Sequence, residues 1–254
     1  MYWVDYMKII HNRFDNYKGI AIQNGKRYFF KKNNNDGVEI IYKKIADGFG
    51  INCANYKIVE ASSVQYYVSP DIGNEGTFTT ADELGIDGRK LSRIKSGFER
   101  LFPMDKERLF YDLMKVYVLD LLLMNFDRSE LNWGILNKDT IPEVYIFDNE
   151  LALSMSSCYI SCREHKPYEQ ININNDEEEI KEFLEVASQE YKDMLRSMYD
   201  LVTPAYLESI IEETEKELGR EIDGREDLMK DFKAHFERIG KLIKQPRLSL
   251  NYIQ

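Results

Sequence analysis

The chain has 254 residues, of which 43% are hydrophobic and 31% are charged, so it carries enough apolar material for a folded core. Its 34 Lys and Arg against 44 Asp and Glu give a formal net charge of −10, which disfavours a protein whose main task is to bind DNA or RNA. The sequence shows no signal peptide and no apolar stretch long enough to cross a bilayer, and its three cysteines are too few for a disulfide framework. We therefore expect a soluble, cytoplasmic protein with no direct contact to nucleic acid or membrane.

The first part of the chain predicts a small sheet with one helix. Residues 18–31 contain two β-prone runs around an Asn-Gly pair at residues 24–25, which favours a two-residue hairpin turn because both positions must accept positive φ. Apolar residues at helical spacing predict a helix over residues 38–46. Two further strands are expected over residues 56–61 and 64–69, because both runs are rich in β-branched and aromatic side chains.

The remainder of the chain is mainly helical in its patterning. Residues 70–100 are polar and contain several glycines, which predicts a connector with short helices. A long buried helix is expected over residues 105–124, because apolar side chains surround it almost completely. Three later helices are predicted over residues 177–199, from Thr203 onward, and over residues 228–243.

Three polar side chains between these helices form a constellation suited to phosphoryl transfer. The runs 133–136 and 144–147 predict a short hairpin, so Asp127 and Asn132 before it and Asp148 after it are expected at one end. Transfer from ATP needs a carboxylate to orient the attacking hydroxyl, and an amide oxygen and a second carboxylate to hold magnesium. Asp127 and Asn132 have the five-residue spacing of the protein-kinase catalytic loop.

These motifs resemble those of the HipA-like atypical serine/threonine kinases. The resemblance rests on Asn125-Phe-Asp-Arg, Asn132-Trp-Gly-Ile-Leu and Phe147-Asp-Asn, together with the small leading sheet and the long buried helix. It implies an α+β, two-lobed, protein-kinase-like fold. The expected N-lobe, a small sheet with a helix, covers residues 1–68, and the mainly helical C-lobe covers residues 69–254.

The resemblance also implies a role for each site residue. Asp127 would be the catalytic-loop aspartate, and Asn132 and Asp148 would bind magnesium. Lys31, at the end of a predicted strand, would bind the ATP phosphates, and Glu39 would be its ion-pair partner. ATP and magnesium are the expected cofactors.

Three further assignments follow from the resemblance. Tyr67 and Val68 would lie at the hinge whose backbone meets adenine. Lys32 is the alternative to Lys31, because a shift of one residue in a strand exchanges its faces. Residues 14–19 are the candidate phosphate-binding segment, although their glycine content is low.

The family implies an ATP-dependent kinase acting on protein Ser or Thr hydroxyls, a toxin or effector with a protein substrate and an antitoxin partner. The alternative is a pseudokinase or toxin-antitoxin binding module without turnover. Two departures favour that alternative. Ser129 stands where many relatives carry His, and Asn149 and Glu150 follow Asp148 where kinases carry Phe and Gly.

A second candidate site is a zinc centre. Cys158, Cys162 and His165 have a spacing that could supply three ligands, and Glu164 or Glu169 could supply a fourth. The cysteine spacing differs from the common form with two intervening residues, so plain reduced thiols are the preferred interpretation.

Overall fold

The computed structural model of the chain describes residues 8–11, 18–32, 37–61, 64–87, 91–125, 128–138, 141–153 and 188–244. These residues form two β-sheets and a set of helices that pack around them. In the part of the chain described, no helix is both long and apolar enough to cross a membrane.

The first sheet has five strands in the order β1-β2-β3-β6-β5. Its strands are β1 (Lys8–His11), β2 (Lys18–Gln23), β3 (Lys26–Lys32), β5 (Lys57–Ala61) and β6 (Val64–Pro70), all paired antiparallel. The predicted hairpin is confirmed, with Asn24 and Gly25 in its turn at φ of 52° and 76°. The two later strands are also confirmed, whereas β1 was not predicted.

Helix α1 (Val38–Gly48) follows the first hairpin, as its apolar spacing predicted. Val38, Ile41, Tyr42 and Ile45 are buried and belong to the main core, which extends into the helical part of the protein. The helix is therefore held between the first sheet and the rest of the molecule. This position brings its first turn close to the end of β3.

The second sheet has four strands in the order β4-β9-β8-β7. The predicted hairpin is confirmed as β8 (Trp133–Lys138) and β9 (Ile141–Ile146), while β4 (Asn52–Cys53) and β7 (Thr77–Thr80) were not predicted. Gly134 is required where β8 meets β7, because a Cβ there would lie 2.3 Å from the Thr79 carbonyl oxygen.

Helices make up most of the remaining structure. Helix α2 (Leu91–Leu101) packs on α3 (Lys106–Leu122), the predicted long helix, which is buried along most of its length. Asp105 directly precedes α3, and its side chain makes no capping bond but pairs with Arg108 at 2.7 Å. Helix α3 ends beside the motif that carries the candidate site.

Three C-terminal helices pack against α3 and α1. They are α4 (Gln189–Leu201), α5 (Pro204–Leu218) and α6 (Arg225–Ile243). Helix α4 follows Ser188, which is extended and caps its first turn, and residues 177–187 of the predicted helix lie outside the described residues. The capping residue Thr203 and the following proline start α5 as expected.

Candidate active site

The end of β3 and the start of α1 bring a lysine and a glutamate into contact. Lys31 is only 7% exposed, whereas the next residue, Lys32, is half-buried and alternates to the other face of the strand. Lys31 Nζ donates a hydrogen bond to Oε1 of Glu39, which is fully buried in the first turn of α1. The structure thus places Lys31, rather than Lys32, beside Glu39.

Two more carboxylates approach Lys31 from the loop after β9. Asp148 Oδ1 lies 2.5 Å from Lys31 Nζ, and Glu150 Oε2 lies 3.3 Å from the same ammonium. Asp148 has a φ of 60°, a left-handed conformation that is uncommon for residues other than glycine. The Asp148 and Glu150 side chains are 43% and 32% exposed, so they lie at the accessible edge of the buried pair.

The surroundings of Lys31 keep it charged. Burial alone would lower the pKa of Lys31, but the three carboxylates around it outweigh that effect and raise the pKa. Burial raises the pKa of Glu39, and the adjacent ammonium offsets part of this rise. The rings of Tyr56 and Tyr67 also lie 5.3 and 6.0 Å from Lys31 Nζ, measured to their centroids.

Asn132 is brought to the same end of the β8–β9 hairpin as Asp148. It directly precedes β8, and Asp148 follows β9 by two residues. Trp133 and Ile146 are opposite each other in the antiparallel pair. The backbone N–H of Phe147 donates to the Asn132 carbonyl oxygen at 3.1 Å. The two predicted strands therefore bring Asn132 and Asp148 to one end of the hairpin, as expected for this part of the constellation.

Asp127, the predicted catalytic aspartate, lies outside the described residues, together with Phe126. The residues that flank them are both buried and both bind Asp120 of α3. Asn125 Nδ2 is 2.7 Å from Asp120 Oδ1, and Arg128 approaches both carboxylate oxygens at 2.9 and 3.0 Å. The two ends of the predicted catalytic segment are thus attached to the buried helix.

Arg128 is a site residue that the sequence analysis missed. Besides binding Asp120, it donates to the carbonyl oxygens of Asn132 at 3.1 Å and Phe147 at 2.9 Å. It also donates to Oδ1 of Asn149. Its place in the Asn125-Phe-Asp-Arg motif was the available signal, but spacing alone does not tell a buried arginine from an exposed one.

Asn149 belongs to the Phe147-Asp-Asn motif and stands where kinases carry phenylalanine, but the sequence predicted no role for it. It is fully buried, and its backbone N–H donates to Glu39 Oε1 at 2.9 Å. Its Nδ2 donates to Glu39 Oε2 at 3.1 Å and lies 3.4 Å from Cys53 Sγ. Each oxygen of the Glu39 carboxylate therefore has a hydrogen-bond donor.

The hinge assignment of Tyr67 and Val68 does not fit the structure. Both are buried in the middle of β6, which is hydrogen-bonded to β3 on one side and β5 on the other. The backbone N–H and C=O groups of a residue inside a central strand are hydrogen-bonded to the neighbouring strands, so they are not available to a ligand. Strand β6 continues beyond these two residues as far as Pro70.

Two other predicted sites lie partly or wholly outside the described residues. The candidate phosphate-binding segment, residues 14–19, connects β1 to β2, and residues 12–17 are not described. Cys158, Cys162 and His165 also lie outside the described residues. Within the ranges described, no group of three or more His, Cys, Asp and Glu side chains could hold a metal ion.

The donor set nevertheless fits a magnesium-nucleotide complex. Magnesium is usually held by one or two carboxylates together with substrate phosphates, so it does not need a cage made of protein side chains. Asp148 and Asn132 offer the carboxylate and amide oxygens that such an ion prefers. Lys31 offers a cation to the phosphates. The Asp148 side chain is partly exposed, so a magnesium-nucleotide complex can reach its carboxylate.

No protein-family model matches the chain, and no curated protein matches its sequence. Solved structures do match. The proinflammatory kinase CtkA of Helicobacter pylori is similar with a TM-score of 0.63 and 17% identity, over 89% of this chain and 91% of CtkA.

HipA, from a toxin-antitoxin system of Shewanella oneidensis MR-1 and solved with HipB and operator DNA, is similar with a TM-score of 0.57 and 16% identity. The match covers 94% of this chain and 65% of the HipA chain. The chain has the kinase-like fold of these proteins. The α+β prediction and the structural resemblance to HipA-like kinases are thereby confirmed at the level of the fold.

Proposed function

We propose that the protein is an ATP-dependent phosphotransferase with a HipA-like kinase site. The observation that carries this proposal is the buried Lys31–Glu39 pair with Asp148 2.5 Å from the same ammonium. Protein kinases use a lysine–glutamate pair and a metal-binding aspartate in this relation to place ATP. The kinase-like fold supports the same interpretation.

Each residue has a defined task in this proposal. Lys31 would bind the α- and β-phosphates, and Glu39 would hold the ammonium in place. Asn132 and Asp148 would hold magnesium, which neutralises the charge of the phosphates when it is bound. Adenine would meet backbone groups near the end of β6, at or beyond Ser69, in place of Tyr67 and Val68.

The chemical step would take place at Asp127. Its carboxylate would accept a hydrogen bond from the acceptor hydroxyl, whose oxygen forms a bond to the γ-phosphorus while the bond to ADP breaks. The hydroxyl proton would pass to Asp127. We propose a protein Ser or Thr as the acceptor, because that is the acceptor implied by the resemblance.

A phosphotransfer assay with matched lysine variants tests this function. The purified protein is incubated with magnesium and radiolabelled ATP, and both self-phosphorylation and ADP release are measured. We expect Lys31→Met to reduce turnover by about 100-fold, because it removes a cation from the phosphates. Lys32→Met makes the same change one residue away and should keep turnover within about twofold of the parent.

Both variants must be folded, which circular dichroism verifies at the assay temperature. Turnover that survives Lys31→Met would contradict the proposed site. An equal loss in the two variants would contradict the assignment of the phosphate lysine.

A binding protein without turnover is the second candidate. Ser129 in place of His, and Asn149 and Glu150 after Asp148, are the observations that favour it. Calorimetric binding of a non-hydrolysable ATP analogue, with no ADP release in the assay above, would support this alternative over the enzyme.

The proposal includes a protein partner of the antitoxin kind, supported by the fold shared with HipA. The net charge of −10 favours contact through such a partner over direct contact with DNA. A stable complex with the product of a neighbouring gene in size-exclusion chromatography would support this part of the proposal.

A further inference from the structure

Asn149 forms hydrogen bonds with two charged residues, Glu39 and Arg128. On one side it donates two hydrogen bonds to the Glu39 carboxylate, at 2.9 Å from the backbone and 3.1 Å from the side chain. On the other side its Oδ1 accepts a hydrogen bond from Arg128. All three residues are buried, so water cannot readily replace either contact.

The two neighbours fix which way the Asn149 amide faces. Arginine has only donors, so the atom that faces Arg128 must be the amide oxygen. An ionised carboxylate has only acceptors, so the atom that faces Glu39 must be the amide nitrogen. Asparagine satisfies both at once, whereas aspartate has no donor for Glu39 and leucine serves neither neighbour.

Arg128 is itself held rigidly. Its five N–H donors meet five acceptor contacts: two with Asp120, one with the Asn132 carbonyl, one with the Phe147 carbonyl and one with Asn149. These acceptors belong to α3 and to the adjacent ends of β8 and β9. Asn149 is therefore held by the framework that also carries Asn132 and the ends of the Asp127 segment.

Glu39 in turn fixes Lys31. Its Oε1 accepts hydrogen bonds from Lys31 and from the Asn149 backbone, while its Oε2 accepts one from the Asn149 side chain. The last bond holds the plane of the carboxylate in the orientation that places Oε1 against the ammonium. Without it, the carboxylate could turn and Lys31 would lose a fixed partner.

We propose that Asn149 is a positioning residue, which holds Lys31 in place through Glu39 and links it to the catalytic segment through Arg128. The effect of this residue on nucleotide binding rests on the proposed function, whereas its effect on Lys31 does not. Residues that act in one chain of contacts give non-additive effects, so a double-mutant cycle is the appropriate test.

The cycle uses Asn149→Leu, Glu39→Gln and their combination. Asn149→Leu keeps a side chain of similar size and removes both side-chain hydrogen bonds. Asn149→Asp keeps the acceptor for Arg128 and serves in the same cycle if the leucine variant does not fold. Ile211→Val, in the core of the C-terminal helices, is the control for a general loss of stability.

The first readout needs no nucleotide. Acylation of Lys31 by an amine-reactive ester is followed by peptide mass spectrometry, with Lys32 as the internal reference. We expect Asn149→Leu to speed labelling of Lys31 about fivefold relative to Lys32, and Ile211→Val to leave the ratio unchanged. An unchanged ratio in Asn149→Leu would overturn the inference whether or not the protein binds nucleotides.

The second readout is the affinity for ADP in the presence of EDTA, which reports on Lys31 without magnesium. We expect Asn149→Leu to weaken binding about tenfold in the parent and less than about twofold in the Glu39→Gln background. Asn149→Asp adds a negative charge that repels the phosphates in both backgrounds, so this repulsion cancels when the two backgrounds are compared. In the double variant, the amide introduced by Glu39→Gln can donate a hydrogen bond to the new carboxylate.

Equal losses in the two backgrounds would show that Asn149 acts independently of Glu39, and the inference would be wrong. If the parent itself binds no nucleotide, the proposed function fails. The Lys31 labelling ratio still decides the positioning role in that case.

Discussion

Buried ionisable groups are charged at the candidate site, whereas the buried histidine of the C-terminal helices is neutral. At the site, Lys31, Glu39, Asp120 and Arg128 are all buried, and each has a partner of opposite charge. In helix α6, His235 is fully buried against the Leu121 carbonyl oxygen at 2.7 Å. Burial and the nearby charge of Arg238 lower the pKa of His235 to about 4, so the imidazole is neutral at pH 7.

The difference shows what decides the charge of a buried group. Burial opposes the charged form in both regions, and only a countercharge of good geometry outweighs it. Charge is thus retained at the candidate site, whereas the buried histidine of α6 is neutral. Replacing a buried pair with apolar side chains is often neutral or stabilising, so the charged network favours a functional interpretation over a purely structural one.

The largest effect on folding is expected from Asp120→Ala. This change leaves the Arg128 guanidinium buried without its carboxylate and removes the acceptor of Tyr42 Oη, which lies 2.6 Å from Asp120 Oδ1. We expect a loss of about 3–5 kcal/mol in the free energy of unfolding, measured by urea denaturation.

The matched control is Glu99→Gln. It breaks an exposed pair with Lys106, whose side-chain atoms are 2.7 Å apart, and should leave the urea midpoint unchanged. Equal midpoint shifts for the buried and exposed pairs would contradict the distinction between the two environments.

The next effect is the acid sensitivity of His235. Because its pKa is near 4 in the folded state and 6.5 in the reference state, the unfolded chain binds more protons between these values. Stability should therefore fall as the pH is lowered from about 6.5 to 4, by up to about 3 kcal/mol from this residue.

His235→Gln keeps an N–H donor for the Leu121 carbonyl but does not titrate over this range. Comparing urea denaturation of the variant and the parent at several pH values isolates the contribution of the histidine. If the free energy of unfolding of the variant and of the parent changed with pH in the same way over this range, His235 would not be a buried neutral imidazole.

The elements that the sequence predicted well are those that local chemistry determines. Asn24 and Gly25 provide the turn of the first hairpin, and Thr203 with its following proline starts α5. The spacing around Val38 predicted the buried face of α1. These signals lie within a few residues of the structure they specify.

The parts that were missed depend on distant partners. The two-residue strand β4 is too short to show alternation, and its pairing is supplied by β9. Arg128 and Asn149 are identified by what they touch, and Asn149 meets Glu39 across 110 positions of sequence. The Lys31–Glu39 pair joins residues only eight positions apart, and it was predicted from the resemblance because spacing alone did not indicate it.

A smaller effect is expected where stability comes from local capping. Thr203 Oγ1 accepts a hydrogen bond from the backbone N–H of Tyr206 at 3.2 Å. Thr203→Ala should cost about 1 kcal/mol in thermal unfolding, since the first turn of α5 loses its cap. Ser209→Ala, an exposed position in the same helix, should cost nothing or stabilise slightly, because alanine has the higher helix propensity. A similar loss in both would show that the cap is not the cause.

The smallest effect on folding should accompany a complete loss of turnover. Asp148 is partly exposed at φ 60°, a conformation that asparagine also accepts, and Glu39 remains beside Lys31 when Asp148 is changed. Asp148→Asn should therefore change the free energy of unfolding by less than about 1 kcal/mol. It should abolish phosphotransfer and weaken binding of a magnesium-nucleotide complex in calorimetry, because the carboxylate would hold the metal.

Asp127→Asn is the matched variant for the second aspartate. On the proposed mechanism its carboxylate meets the acceptor hydroxyl and not the metal, so turnover should disappear while magnesium-dependent binding of the ATP analogue stays within about threefold of the parent. Binding and chemistry would then be separated between the two aspartates. Loss of nucleotide binding in the Asp127 variant alone, or full activity in either variant, would mean that the two roles are wrongly assigned.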